Sequence, residues 1–403
     1  MGISGMLAGA IRLVLLFALC GSAAAGAEDP VHIVVFPLDP PRDAESLSWL
    51  SEGIAFSLSK QLQLPGVRTL DREARFRLVE NLDLPPDARL SRGSMIRAAQ
   101  EAKADLAVIG RYSGTAKDLK IAVRVFHTKE LKLGGEMTAN GPLSALPQME
   151  NELAWLILGH TALQGSSSRE DFGKRTRRVP NSALDSYIES FGASGRETRI
   201  RLLQKAVDQY GDFPEARFQL GRLHFQKGDC ERARANILPG TETDASRDET
   251  EFMLATCSIQ QGEPARAVEP LERMLSSARS PAVLNNVAVA RLRAGDFEAA
   301  GNALAEAKSL APSDPTIDVN LAIVRHMQGR DALARGILEA AARTHPKNGM
   351  IQFLAGYFHK RNGETEKASA ALAGAKRLGV NVDAIQSRDP ATWAVLHRSW
   401  DGQ

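Results

Sequence analysis

Five glycines, Gly228, Gly262, Gly295, Gly329 and Gly363, recur in steps of 34, 33, 34 and 34 residues. A fixed period of roughly 20–50 residues is the mark of a stacked array of small units rather than of one closed core. Other columns move with the glycines. Eight residues before each stands an apolar residue (Leu220, Leu254, Val287, Leu321, Ala355), followed at once by a small one (Gly221, Ala255, Ala288, Ala322, Gly356). Five residues after each glycine is an alanine (Ala233, Ala267, Ala300, Ala334, Ala368), and nine after is an aliphatic (Ile237, Leu271, Leu304, Leu338, Leu372). Each unit therefore reads as a helix, a tight turn and a second helix. The glycine ends the first helix in a left-handed conformation at no steric cost. Asp229, Glu263, Asp296 and Glu364 then favour the positive start of the next helix. Small residues mark close helix crossings, and the aliphatics fill the spaces between.

These columns are similar to those of the tetratricopeptide repeat (TPR). Units begin near Pro214, Asp248, Pro281, Pro315 and Gly349. A weaker unit precedes them from about Pro180 to Phe213. It keeps Leu203 and Ala206 but has Arg199 in place of the alanine. The expected solenoid spans 182–382, with a capping segment over 383–403. Asp389 and Pro390 are residues that start helices. A final helix is expected there, with Trp393, Leu396 and Trp400 on one face as a lid on the last repeat.

Upstream, residues 28–163 read as an α/β domain, so the fold class is an α/β domain followed by an all-α TPR solenoid. Val31–Phe36 is nearly all apolar, as in a strand covered on both faces. Leu47, Leu50, Ile54, Leu58 and Leu62 recur at helical spacing over about 44–62. A strand at 67–70, a helix at 73–81 and a helix to Lys103 capped by Ser94 follow. Strands are expected at 106–112, 120–127 and 131–138, then a helix over 146–163. Val31–Phe36, Leu50-Ser51-Glu52-Gly53-Ile54, Leu64-Pro65-Gly66-Val67 and Ala104-Asp105-Leu106-Ala107-Val108-Ile109-Gly110 together resemble the TolB-type amino-terminal domain, which implies an accessory or interaction role and no catalytic residues. Residues 164–181, with Gly165-Ser166-Ser167-Ser168 and the basic Lys174, Arg175, Arg177 and Arg178, read as a solvated interdomain linker.

The chain has 403 residues, with 50 Lys+Arg against 48 Asp+Glu. That balance gives no case for nucleic-acid binding. Arg12, the apolar run Leu13–Leu19 and the small residues before Glu28 read as a secretory signal peptide over 1–27. A periplasmic or secreted protein is expected, without a transmembrane segment in the mature chain. Cys20 opens a lipoprotein alternative, against which Leu19 stands just before it. Cys230 and Cys257 then remain. An oxidising compartment permits a bridge between them, but two buried free thiols are the expected state.

The sequence carries no metalloprotease, hydrolase, P-loop or dinucleotide-binding motif. The expectation is thus a non-enzymatic scaffold without cofactor or metal, binding a protein or peptide; the oligomeric state is left open. An enzyme or small-ligand sensor housed in 31–163, with the repeats as docking arm, is the alternative. Resemblance to TPR proteins places ligands against the first helices. Asn286 and Asn320 lie one repeat apart, with Asn285 beside the first. An amide both donates and accepts, so this pair suits an extended backbone. Phe218, Arg222, Phe225 and Phe252 early in the groove, and Phe353, Tyr357, Lys360 and Arg361 late, would add aromatic and cationic anchors. The same residues also suit a solvated helix face and an aromatic core. Export has a direct check. Mass spectrometry of the secreted or periplasmic protein is expected to give an N-terminus near Gly26 or Glu28, and a lipid-modified Cys20 at that end would overturn the reading.

Overall fold

The computed structural model describes residues 29–41, 47–82, 90–166, 168–237, 244–277 and 279–400. The signal-peptide and Cys20 expectations lie outside them. The chain divides into two compact units, which meet in sequence between Arg177 and Arg178.

The first unit is a mixed sheet with helices on both faces. Its strands are β1 (Val31–Val35), β2 (Val67–Thr69), β3 (Leu106–Thr115), β4 (Asp118–His127), β5 (Lys132–Leu133) and β6 (Met137–Gly141). The order is β2-β1-β3-β4-β5, with β6 also on β4. β1 pairs in parallel with β2 and β3, and the later pairings are antiparallel. The apolar run of β1 is thus the strand in the middle of the parallel part, with Ile33, Val34 and Val35 fully buried. Its helices are α1 (Leu50–Leu62), α2 (Arg72–Asn81), α3 (Arg92–Glu101) and α4 (Leu146–Leu158). Two expectations shift. The strand placed over 131–138 is two strands on one partner, separated at Gly134-Gly135. The cap of α3 is Ser91, whose hydroxyl accepts the Ser94 N–H at 3.1 Å.

The expected linker is partly built into this unit. Helix α5 (Arg169–Gly173) buries Phe172, and the Phe172 carbonyl accepts from Asn151 at 3.2 Å. Arg177 Nε lies 2.7 Å from Glu150, a fully buried carboxyl. Burial pushes that group up to about 7 against the pull of Arg177. The basic knot read as solvated therefore contains one residue, Arg177, whose partner is a core carboxylate.

The second unit is an array of helical hairpins: α6 (Asn181–Gly192) with α7 (Arg196–Gln209), α8 (Pro214–Gln226) with α9 (Cys230–Ile237), α10 (Asp244–Gln260) with α11 (Ala265–Ser277), α12 (Pro281–Arg293) with α13 (Phe297–Leu310), α14 (Pro315–Met327) with α15 (Asp331–Thr344), and α16 (Gly349–Arg361) with α17 (Thr365–Arg377). The five turn glycines all have positive φ, between 75° and 87°. The alanine column is buried throughout. The small column is a true close approach, since a Cβ on Gly356 would lie 2.7 Å from Leu372 Cγ and one on Gly221 2.6 Å from Ile237 Cγ1. In the weaker first hairpin the turn belongs to Gly195, at φ 86°, and Arg199 is half-buried.

Two further expectations are overturned. Cys230 and Cys257 form a disulfide, with Cα atoms 5.4 Å apart. Cys230 opens α9 and Cys257 lies late in α10, and stacking of adjacent repeats brings these ends together, so the free-thiol expectation fails on geometry. The bridge ties one repeat to the next. The second correction is at the C-terminus. After α18 (Val382–Gln386), only a four-residue 3₁₀ turn forms, Pro390–Trp393, capped by Asp389. No helix carries Trp393, Leu396 and Trp400.

Two measurements check this architecture. Ala300 is fully buried at the crossing of α12 and α13, so Ala300→Leu is expected to cost about 1–3 kcal/mol by overpacking, read from denaturant midpoints. Peptide mapping of the unreduced chain is expected to recover Cys230 and Cys257 as one crosslinked pair; two alkylated thiols would reject the bridge.

Candidate functional site

Helices α8, α10, α12, α14 and α16 are the first helices of successive hairpins, and they line one face of the array. Repeat geometry sets what that face presents. Asn286 on α12 and Asn320 on α14 each stand nine residues before their turn glycine, so stacking places them at equivalent points of neighbouring helices. Both are fully buried, as is Asn285. Burial of three amides is costly unless each is bonded, and here each is. Asn320 donates to Asn285 Oδ1 at 2.7 Å, Asn285 to Asn286 Oδ1 at 3.1 Å, and Asn286 to Thr256 Oγ1 at 2.9 Å.

The outer side of this ladder grips a polypeptide backbone, and that backbone is the chain's own C-terminal segment. Asn320 accepts the Val395 N–H at 2.8 Å and donates to the Val395 carbonyl at 2.8 Å. Asn286 accepts the His397 N–H at 2.9 Å and donates to the His397 carbonyl at 3.0 Å. Asn285 adds a bond to the Val395 carbonyl at 3.1 Å. Residues two apart meet the same face, which is the period of an extended chain. This explains why the expected final helix is missing. The backbone groups at Val395 and His397 that a helix would use internally are bonded to α12 and α14 instead.

Side chains seat the segment at both ends. The Trp393 ring packs edge-on against Phe353 and Tyr357, at centroid distances of 5.2 and 4.9 Å, and its indole N–H donates to the Ile385 carbonyl at 2.8 Å. Trp400 lies against Phe252 at 5.4 Å. Between them, His397 Nε2 is 3.0 Å from an Asp314 carboxylate oxygen. Arg398 lies over the Phe225 ring, 5.9 Å from its centroid, and donates to Gln260. Arg293 donates to the carbonyls of Ala394 and Thr392 at 3.3 and 3.4 Å. Partial burial lowers the proton affinity of Arg293, and the nearby charge of Arg398 adds to it; burial alone does the same to Arg398. The segment runs against the repeat order, from α16 at Trp393 to α10 at Trp400.

The expected anchors divide. Asn285, Asn286, Asn320, Phe225, Phe252, Phe353 and Tyr357 converge on the segment, although Phe225, Phe252 and Phe353 are also core residues. Phe218 and Arg222 pair with each other, 5.9 Å from cation to ring, and Arg222 lies 3.7 Å from Glu249. Arg361 covers the Tyr357 ring at 5.7 Å and pairs with Asp331, and Lys360 is exposed. Sequence reasoning missed Thr256, Gln260, Arg293 and Asp314. A signal existed for two of them: Gln260 and Arg293 each stand two residues before a turn glycine, one position in adjacent repeats.

Among the described residues no His, Cys, Asp and Glu cluster suits a metal ion, and no helix is long and apolar enough to cross a membrane. Residues 252–315 and 286–349, the hairpins from α10 to α15, match the family described as Tetratricopeptide repeat. A search of curated protein sequences finds no match. Among solved structures, a tetratricopeptide repeat protein from Parabacteroides merdae is 14% identical, with 62% of this chain and 92% of that one covered at a TM-score of 0.43. The pilF protein of Pseudomonas aeruginosa is 15% identical, covering 52% and 98% at 0.38. YrrB, described as a TPR protein with an unusual peptide-binding site, is 15% identical, covering 42% and 89% at 0.33.

Proposed function

We propose that this protein is an exported TPR scaffold of the bacterial cell envelope, whose repeat unit binds an extended segment of a partner protein along the first helices. Support comes from one observation above all. The amides of Asn286 and Asn320 each hold both the N–H and the carbonyl of one residue in an extended chain. That arrangement recognises a backbone, whoever supplies it, and the side chains around it then select. Export and an envelope location rest on the leader-like residues before Glu28. On the TolB-type resemblance, the first unit has an accessory or interaction role.

The test supplies such a backbone in trans. In the full chain, Val395→Pro with His397→Pro removes the two N–H donors of the resident segment and leaves the ladder untouched. A labelled synthetic peptide of residues 388–400 is the probe. It is expected to bind this variant. Adding Asn286→Ala and Asn320→Ala is expected to weaken binding by about 2–4 kcal/mol, since four bonds are lost at about 0.5–1.5 kcal/mol net each with partial replacement by water. Circular dichroism reports whether each variant keeps its helices. Equal affinity with and without the asparagines, in folded protein, would sink the reading.

A further inference from the structure

We propose that segment 388–400 is a built-in competitor for the groove, and that the partner which displaces it shares its chemistry: an extended stretch with an aromatic residue at each end of about eight residues and a His–Arg pair near the second aromatic. This rests on the peptide-binding reading above and adds who is recognised and what holds the groove closed.

The grip itself is generic. All five bonds between the three asparagines and the segment involve the main chain of Val395 and His397, so any extended residue other than proline satisfies them. Selectivity comes from the flanking seats. Phe353 and Tyr357 take an indole, whose N–H meets a carbonyl. Phe252 takes a second aromatic. Asp314 faces the imidazole of His397, and Gln260 with the Phe225 ring takes the guanidinium of Arg398. A carboxylate at either of those two positions would face Asp314 or forfeit the cation–ring contact, so acidic stretches are disfavoured.

The segment is also held less completely than a core element. Ala391, Trp393 and Ala394 are buried, but Val395, Leu396, His397, Arg398 and Trp400 are only partly buried, and Ser399 is exposed. The hairpins behind it close through their own alanine and small-residue columns, and the helix pairs do not use the segment to meet. Its departure would uncover three amides able to bond water and the ring faces of Phe252, Phe353 and Tyr357, rather than open helix–helix contacts. What favours the resident segment is its tether. It is joined to α17 through α18, and a short tether gives an effective concentration on the order of millimolar or higher. A partner in solution therefore meets a groove that is open only part of the time, and its apparent affinity falls by that fraction.

The experiment compares wild-type chain with the Val395→Pro, His397→Pro variant, using the same labelled 388–400 peptide. The variant is expected to bind at least about tenfold more tightly than wild type, the factor set by the tether. On the variant, peptides with Trp393→Ala, Trp400→Ala or His397→Glu are each expected to lose about tenfold or more, in line with anchor residues at an interface. Equal asparagine-dependent affinity for both chains would leave the binding reading standing and overturn the competitor. No binding to a folded variant would overturn both. Should the variant fail to fold, the wild-type chain decides alone. Hydrogen exchange at the Val395 and His397 amides, which the ladder holds, is expected to accelerate when excess peptide displaces the segment, and an unchanged rate at saturating peptide rejects the proposal.

Discussion

The close crossing of the two helices in each repeat is the constraint on which the rest of the second unit depends. Ala233, Ala267, Ala300, Ala334 and Ala368 are buried where one helix passes over its partner, and at Gly221 and Gly356 even a methyl group would meet Ile237 or Leu372 at less than 3 Å. Backbones this near leave little freedom in angle or register. Each hairpin is thus nearly a copy of the last, and a hairpin cannot bury its outer apolar side alone, so the copies stack. Stacking fixes the separation of equivalent residues on neighbouring helices. Asn286 and Asn320 inherit their spacing from that geometry, and an extended chain with a two-residue period fits it.

Much of this was legible in the sequence because each signal was local and repeated. Turn glycines at positive φ, the alanine column and the two ladder asparagines sit at fixed offsets, and a repeat multiplies a weak signal by its copy number. The middle strand of the parallel part of the first unit was legible for a different reason: an apolar run such as Ile33-Val34-Val35 fits a strand buried on both faces. What failed was non-local. Whether Cys230 and Cys257 meet depends on how α9 and α10 stack, and their spacing in sequence does not carry that. The join between the units reads as polar linker because Arg177 is charged, yet its partner Glu150 is a buried carboxyl on α4. A composition-based reading sees the cation and not the anion beneath it.

The C-terminal segment shows the same limit most clearly. Trp393, Leu396 and Trp400 are spaced as on a helix, and Asp389-Pro390 is a sound helix start. Local rules therefore favour a capping helix, and Asp389 does cap one turn. Beyond Trp393 a helix would need the N–H and carbonyl groups of Val395 and His397 for internal bonds. The ladder offers those groups partners already ordered by burial, on Asn286 and Asn320, at no cost of nucleating further turns. The aromatic rings then find Phe353, Tyr357 and Phe252 as separate seats rather than one continuous face. Tertiary partners overrode a correct local preference.

That outcome links the two surprises of the sequence reading. The expected ligand of the asparagine ladder was a foreign extended segment, and the expected role of the C-terminus was to cap the array. The structure puts the second in the place of the first. A chain end that only covered the last repeat would need apolar contact with α16 and α17 and no more. This one continues past α14 and α12 to α10, and it spends polar, directional contacts at Val395, His397 and Arg398. Burying apolar side chains alone would hold a lid as well, with no demand for register. Paired main-chain bonds at alternate residues impose a register instead, which a lid does not require.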